Sequence, residues 1–403
     1  MAHLNSVWKA GLTCCITATL SWSASADPST VGESWQKYTP SAAVRGADGR
    51  MHGATCSGYP GTDKTYSFWA KKGKSANLVV YFEGGGACWD DFTCTFPIMD
   101  SLPASAYQFF VPAVPPDSDP AAYSGIFEAA NPANPVKDWS MVYIPYCTGD
   151  LHTGSTTQTY YNLGNPLIPL YSPFPIEHRG FDNFMVVLDF VKRNFRGPDK
   201  VLVAGSSAGG YGATANSPWI QRTYPDAKLS VLADASQGVT THAFDVGNPG
   251  RNSWDMQLAP WVFGTDPSRI SGPDLMRVAA KGLPKAKLSQ FTTAFDAVQI
   301  GFYGVMKANY GPGGRCSNLA YDWHNQAVRK VQADSDALSN YHYYVADGQY
   351  HTNLRSPQFY AESSAGTPYR DWVNALLGQQ GNSQGRLWAD AACPACLFQI
   401  PCK

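Results

Sequence analysis

The chain has 403 residues, with 30 Lys and Arg against 31 Asp and Glu, and 44% of its residues are hydrophobic. That is ample apolar material for a sizeable core. The balanced charge, with no basic run, argues against nucleic acid or an anionic membrane surface as a partner, and no later segment approaches the ~18 apolar residues of a membrane span.

Taken from its start, the chain opens with an export-signal pattern over residues 1–26. A short lead ending at Lys9 precedes a mostly apolar or small run, Ala10 to Trp22, and then Ala24-Ser25-Ala26 before Asp27. Residues 27–403 are expected to form one extracytoplasmic catalytic domain, secreted or periplasmic. Of ten cysteines, Cys14 and Cys15 would leave with the leader. The remaining eight are Cys56, Cys88, Cys94, Cys147, Cys316, Cys393, Cys396 and Cys402. An even number in an exported chain reads as disulfides. Spacing leaves the connectivity open, although Cys88 and Cys94 are close enough to close a small loop. Cys393-Pro-Ala-Cys396 has the spacing of a zinc ribbon or redox pair, but no second CxxC or His pair accompanies it. Disulfides are therefore expected there, with no metal and no cofactor.

Residues 27–75 suggest an irregular segment with short strands. Asn77 to Phe82 is the first strong strand and ends in Glu83-Gly84-Gly85-Gly86. Residues 97–136, rich in Pro, Ala and Ser, suggest a surface excursion over the sheet edge. Ser140 to Pro145 is the next strand, followed by Tyr146 to Gly154. Phe181 to Phe195 has helical period, with Phe184, Val187, Leu188 and Val191 on one face and Asp182, Lys192 and Arg193 elsewhere. Val201 to Ala204 is a short β-branched strand running into Gly205-Ser206-Ser207-Ala208-Gly209. Leu229 to Ala233 is a further strand, closed by Asp234. Residues 239–275 carry Trp254, Trp261 and several Pro and Gly, which suits a cap. Tyr341 to Ala346 is the last clear strand. Alternating strands and helices define an α/β chain with a mostly parallel central sheet covered by helices, α/β-hydrolase-like, with cap insertions.

Gly205-x-Ser207-x-Gly209 fits the strand-to-helix nucleophile elbow, which lifts a serine hydroxyl above the sheet. Side chains at 205 and 209 would collide with the neighbouring strand and helix. The competing reading, a phosphate-cradling βα loop, lacks the Lys of a P-loop and does not fit G-x-G-x-x-G. A serine nucleophile needs a base oriented by a carboxylate, in the chain order Ser, acid, His on this fold. His242, His324, His342 and His351 follow Ser207. His351 lies on a loop just beyond a strand and is the candidate base. His242, in the cap, is its rival, whereas His342 inside a strand and His324 in a helix read as structural. Asp296, after Phe291-Thr-Thr-Ala-Phe, is the candidate acid, with Asp234 and Asp347 as alternatives at strand ends. Asp296 followed by Gln299 also resembles a helix cap. Gly84-Gly85-Gly86 offers unobstructed amides for an oxyanion hole, with the amide of Ala208 pointing to the same space.

Phe82-Glu-Gly-Gly-Gly-Ala-Cys88, Gly205-Ser-Ser-Ala-Gly-Gly210 and Phe295-Asp-Ala-Val-Gln-Ile300 together resemble the pectin acetylesterase/Notum family of serine hydrolases. The matches occur in family order from about residue 77 to Trp372. The resemblance implies an α/β-hydrolase fold and metal-independent ester hydrolysis. It implies Ser207 as nucleophile, Asp296 as acid, His351 as base, and Gly85, Gly86 and Ala208 as oxyanion donors. The chain departs from the pattern at Ala87, where the family usually carries an aromatic residue, and at Gly348, where a cysteine commonly stands three residues before the histidine. The second departure implies that Cys316 and the C-terminal cysteines pair differently from the family. The expected substrate is an acyl, most readily acetyl, ester of a polysaccharide such as pectin. A polyester or lipid esterase for longer acyl groups and an inactive carbohydrate-binding relative remain open as alternatives.

Overall fold

The computed structural model describes residues 31–99, 107–247, 250–310, 316–379 and 387–402. The expected leader, with Cys14 and Cys15, lies outside the described residues. The strands read as continuous apolar runs because both faces of the sheet are covered. In β3 (Asn77–Phe82), Leu78, Val80 and Phe82 enter one core layer while Val79 and Tyr81 enter the other. The same alternation holds along β5 (Lys200–Ser206), where Val201 and Val203 face one layer and Leu202 and Ala204 the other.

Among the described residues, nine strands form the main sheet. The others are β1 (Gln36–Tyr38), β2 (Phe68–Lys71), β4 (Ser140–Ile144), β6 (Lys228–Asp234), β7 (Lys287–Thr293), β8 (Tyr341–Ala346) and β9 (Ala391–Ala392). Their order is β1-β2-β4-β3-β5-β6-β7-β8-β9. Both antiparallel pairings involve β2, and every pairing from β4 to β9 is parallel. The expected mostly parallel sheet is therefore present, and β5 sits in its middle, where its C-terminal end opens between neighbouring crossovers.

Helices α1 (Gly180–Asn194), α2 (Ala208–Thr223) and α3 (Leu275–Gly282) cover one face. Helix α6 (Tyr369–Leu376) covers the other through Tyr369, Trp372, Val373 and Leu376. Between them in sequence lie α4 (Ala297–Tyr310) and α5 (Leu319–Ala337). The apolar face expected for α1 is buried as written, but Asp182 is buried with it. Its carboxylate is drawn inward by hydrogen bonds from His52 Nδ1 at 2.6 Å and Ser155 Oγ at 2.9 Å.

Residues 97–136 are not merely a surface excursion. Ile126, Phe127 and Val136 are fully buried in the layer beneath β3 and β4. The sequence hides this because these apolar residues sit in 3₁₀ turns and loops without a helix or strand period. Four disulfides join Cys56–Cys147, Cys88–Cys94, Cys316–Cys402 and Cys393–Cys396 among the described residues. The CxxC cysteines are bonded to each other.

Candidate active site

Ser207 sits between β5 and α2 with φ 56° and ψ −124°. A non-glycine residue in this region is strained by roughly 1–3 kcal/mol and persists only where its surroundings fix it. Here the Ser207 amide donates to the Asp234 carbonyl at 2.7 Å. A Cβ at Gly205 would run into the Gly209 carbonyl, and one at Gly209 into the Phe82 carbonyl. The two glycines thus let the turn close against both the helix and β3.

Asp296 precedes α4 and does two things at once. Its Oδ1 accepts from the amides of Val298 at 3.1 Å and Gln299 at 3.0 Å, capping the helix. Its two oxygens also lie 2.9 and 2.8 Å from His351 Nδ1. The Gln299 side chain donates to Oδ2 at 2.9 Å and to Gln237 Oε1 at 2.9 Å. Both readings of Asp296, helix cap and histidine partner, describe the same carboxylate. An ionised carboxylate only accepts, so the proton of a neutral His351 resides on Nδ1 and its Nε2 carries the lone pair. Nε2 is buried and has no hydrogen-bond partner among the described residues.

Ser207 and His351 line one cavity of about 90 Å³, together with Gly86, Ala87, Ala208 and Gln299. Its apolar wall includes Trp89, Phe244, Trp254, Phe302 and Met306. Ala87 is buried within that wall rather than pointing away. Trp254 is fully buried there, with its indole N–H on the Cys88 carbonyl at 2.7 Å. Trp261 does not share the cavity. It is 44% exposed and packs against Trp219 and the Arg222 guanidinium.

The glycine loop is pinned by an antiparallel bridge between Gly86 and Phe110. That bridge uses the Ala87 amide to the Phe109 carbonyl at 2.8 Å and the Val111 amide to the Gly85 carbonyl at 2.9 Å. Neither bond uses the Gly85 or Gly86 amide, and among the described residues no bond is made by either. Gly86 has φ +73°, and a Cβ there would strike the Phe109 carbonyl. The Ala208 amide opens α2, where a helix has no internal acceptor for it. Gly86 and Ala208 line the cavity, whereas Gly85 stands one residue outside its lining.

The rival residues are placed elsewhere. His242 is exposed at the start of a short helix, His242–Val246, and does not line the cavity. His324 is buried in α5 with its ring nitrogens on the carbonyls of Ala294 and Phe398. His342 pairs with Asp390 at 2.8 Å. Asp347 is exposed and bonds the Gly348 amide. Asp234 is fully buried, but its carboxylate engages Ser206 and loop amides, not the His351 ring.

Several residues at the site gave no clear signal in the sequence. Leu151, a cavity-lining residue, and His152 both have positive φ, 56° and 60°. The Leu151 amide donates to the Tyr146 hydroxyl at 2.9 Å, and the Asp150 carboxylate accepts from Thr148 at 2.7 Å, the His152 amide at 3.1 Å and the Gly180 amide at 2.7 Å. Burial pushes the Asp150 carboxyl up to about 6 despite these bonds. The cavity also meets a buried ion pair, Arg251 with Asp245, at 3.4 Å. Arg355 donates to Glu83 Oε1 at 2.6 Å, joining the loop after His351 to the residue before the glycine run. The Gly180–Asp150 and Arg355–Glu83 contacts link residues far apart in sequence, and only the fold reveals them.

The sheet order, the elbow at its centre and the covering helices define an α/β-hydrolase-like protein. The chain belongs to the pectinacetylesterase family, a family of esterases, whose model matches residues 40–253. Among solved structures, the chain is similar to the Wnt deacylase Notum from Drosophila, with a TM-score of 0.54 and 16% identity. That likeness covers 91% of this chain and 100% of the other, and at this identity it speaks for the fold alone. No curated protein matches the chain.

Proposed function

We propose that the protein is an exported serine esterase that removes short acyl groups such as acetyl from a polysaccharide such as pectin. The observation that carries this reading is the Asp296–His351 contact, with a buried Nε2 that has no partner among the described residues, on a histidine that shares a cavity with the strained Ser207. In this reading His351 Nε2 takes the Ser207 proton as Oγ attacks the ester carbonyl carbon. The amides of Gly86 and Ala208, with Gly85 beside them, stabilise the oxyanion. Collapse breaks the bond to the sugar oxygen, which leaves with the proton from His351. Water, deprotonated by His351, then attacks the acyl-enzyme, releases the carboxylic acid and restores Ser207. No metal or cofactor takes part in these steps, and chelators are expected to leave the rate unchanged.

Cavity size favours short acyl groups. Its volume of about 90 Å³ is below the ~150 Å³ of an engineered apolar cavity that takes up benzene. The apolar wall and Ala87 favour a second reading, in which somewhat longer acyl chains of a lipid or polyester are also accepted. The leader pattern and the disulfides support an extracytoplasmic location. No helix among the described residues is long and apolar enough to cross a membrane.

The test is a panel of acetate, butyrate and octanoate esters followed by acetylated pectin. Acetate release from pectin, with octanoate the poorest ester, supports the proposal. Preference for octanoate moves the substrate to the lipid class, and no turnover of any ester leaves only a binding role.

A further inference from the structure

Asp234 ends β6 directly beside Ser206, the residue before the elbow serine. It is fully buried, and among the described residues its carboxylate is hydrogen-bonded by a hydroxyl and backbone amides with no Lys or Arg. Four hydrogen bonds converge on its carboxylate. Ser206 Oγ donates to Oδ2 at 2.6 Å, and the Asn353 amide reaches Oδ1 at 3.0 Å and Oδ2 at 2.8 Å. The Leu354 amide reaches Oδ2 at 2.9 Å. Behind Ser206, the Tyr81 hydroxyl donates to Oγ at 2.7 Å, extending the chain across β3. The Asp234 backbone carbonyl meanwhile accepts from the Ser207 amide.

The two ends of this network matter. One end is the strained turn that carries Ser207. The other is the loop two and three residues beyond His351, entered through Thr352 at φ 59°. Asn353 and Leu354 are both fully buried. Burying an unpaired carboxylate is costly, and burial alone pushes the Asp234 carboxyl up while its hydrogen bonds oppose that. A packing role could be filled by an apolar side chain at less cost.

We propose that Asp234 is a positioning residue: one carboxylate clamps the Ser207 turn and the His351 loop at a fixed separation, so that His351 Nε2 is held within reach of Ser207. The inference rests on the proposed roles of Ser207 and His351. It separates two acids at neighbouring strand ends, Asp296 acting on the His351 ring and Asp234 on its loop.

The experiment compares Asp234→Ala and Asp234→Asn by kcat and KM on a short ester, each rate divided by the sites counted with a fluorophosphonate. Counting sites keeps the rate defined even where part of a variant fails to fold. Displacing reacting groups by about 1 Å costs on the order of 100-fold. Asp234→Ala should lose kcat on that scale with KM little changed. Asp234→Asn, which keeps an acceptor for the two amides, should recover most of the loss. Amide hydrogen exchange at Asn353 and Leu354 should quicken in Asp234→Ala and not in Asp234→Asn. Unchanged kcat per site in Asp234→Ala, or no recovery in Asp234→Asn, overturns the inference. An active Ser207→Ala in the same series would instead remove the proposed function on which it rests.

Discussion

Asp296 holds His351 Nδ1 with both carboxylate oxygens, at 2.9 and 2.8 Å, while one of those oxygens also caps α4. The helix start therefore fixes the carboxylate that orients the ring, and the ring cannot turn without losing its contacts to that carboxylate. Asp296→Asn separates the two tasks. Asn is a good N-cap, so the melting temperature should hardly fall. Its amide N–H₂ facing Nδ1 would favour the wrong histidine tautomer, and kcat should drop by about 10⁴-fold. Circular dichroism melting with ester kinetics checks both halves. A variant that keeps its activity, or loses fold and activity together, contradicts this division.

Ala87 lies in the cavity wall with Trp89, Trp254 and Met306. Each buried methylene contributes about 0.8 kcal/mol, so two methylenes give butyrate an advantage of roughly tenfold over acetate where the wall accommodates them. Ala87→Trp should remove that advantage while acetate kcat/KM changes little. An unchanged chain-length profile would mean that residue 87 does not bound the acyl chain.

The parts of this site legible in the sequence are those carried by local pattern. Ser207 is marked by its flanking glycines, the glycine loop by its place at a strand end, and His351 by its loop after β8. Position makes Asp296 the leading acid without excluding Asp234 and Asp347, because a cap and a histidine partner look alike in one dimension; the family motif singles it out. The Asp234 clamp was invisible for a different reason. Its partners are a serine 28 residues upstream and the amides of Asn353 and Leu354, more than a hundred residues on. Backbone amides leave no residue-type signature. Cap composition likewise could not tell Trp254, which lines the cavity, from Trp261, which faces solvent beside Arg222.

His52 is buried between two carboxylates, with Nδ1 on Asp182 at 2.6 Å and Nε2 on Asp48 at 2.8 Å. Burial by itself lowers its pKa, but these hydrogen bonds outweigh burial and raise it. A histidine raised on folding contributes stability that is complete below its unfolded value of about 6.5 and is lost as pH climbs through the folded value. Unfolding free energy should therefore decline on the alkaline side, above about pH 6.5. His52→Gln should flatten that decline. Urea titrations at several pH values decide it, and parallel curves for the two proteins would rule His52 out as the cause.

The disulfides should differ in weight. Cys56–Cys147 spans 91 residues of sequence and Cys88–Cys94 only 6. In the chain-entropy account the longer loop contributes more, by roughly 2 kcal/mol. Replacing Cys56 and Cys147 together by Ala should lower the melting temperature more than replacing Cys88 and Cys94. The reverse order would show that the small loop, which carries the cavity residue Trp89, matters through native packing instead.

The central claim is that Ser207 is the nucleophile, and covalent labelling tests it most directly. A fluorophosphonate should modify the protein once, with peptide mass spectrometry placing the adduct on Ser207. Ser207→Ala should lose both labelling and ester hydrolysis, the latter by about 10⁶-fold, while melting like wild type. An adduct on Ser206 or elsewhere, or near-normal hydrolysis by Ser207→Ala, would contradict the account.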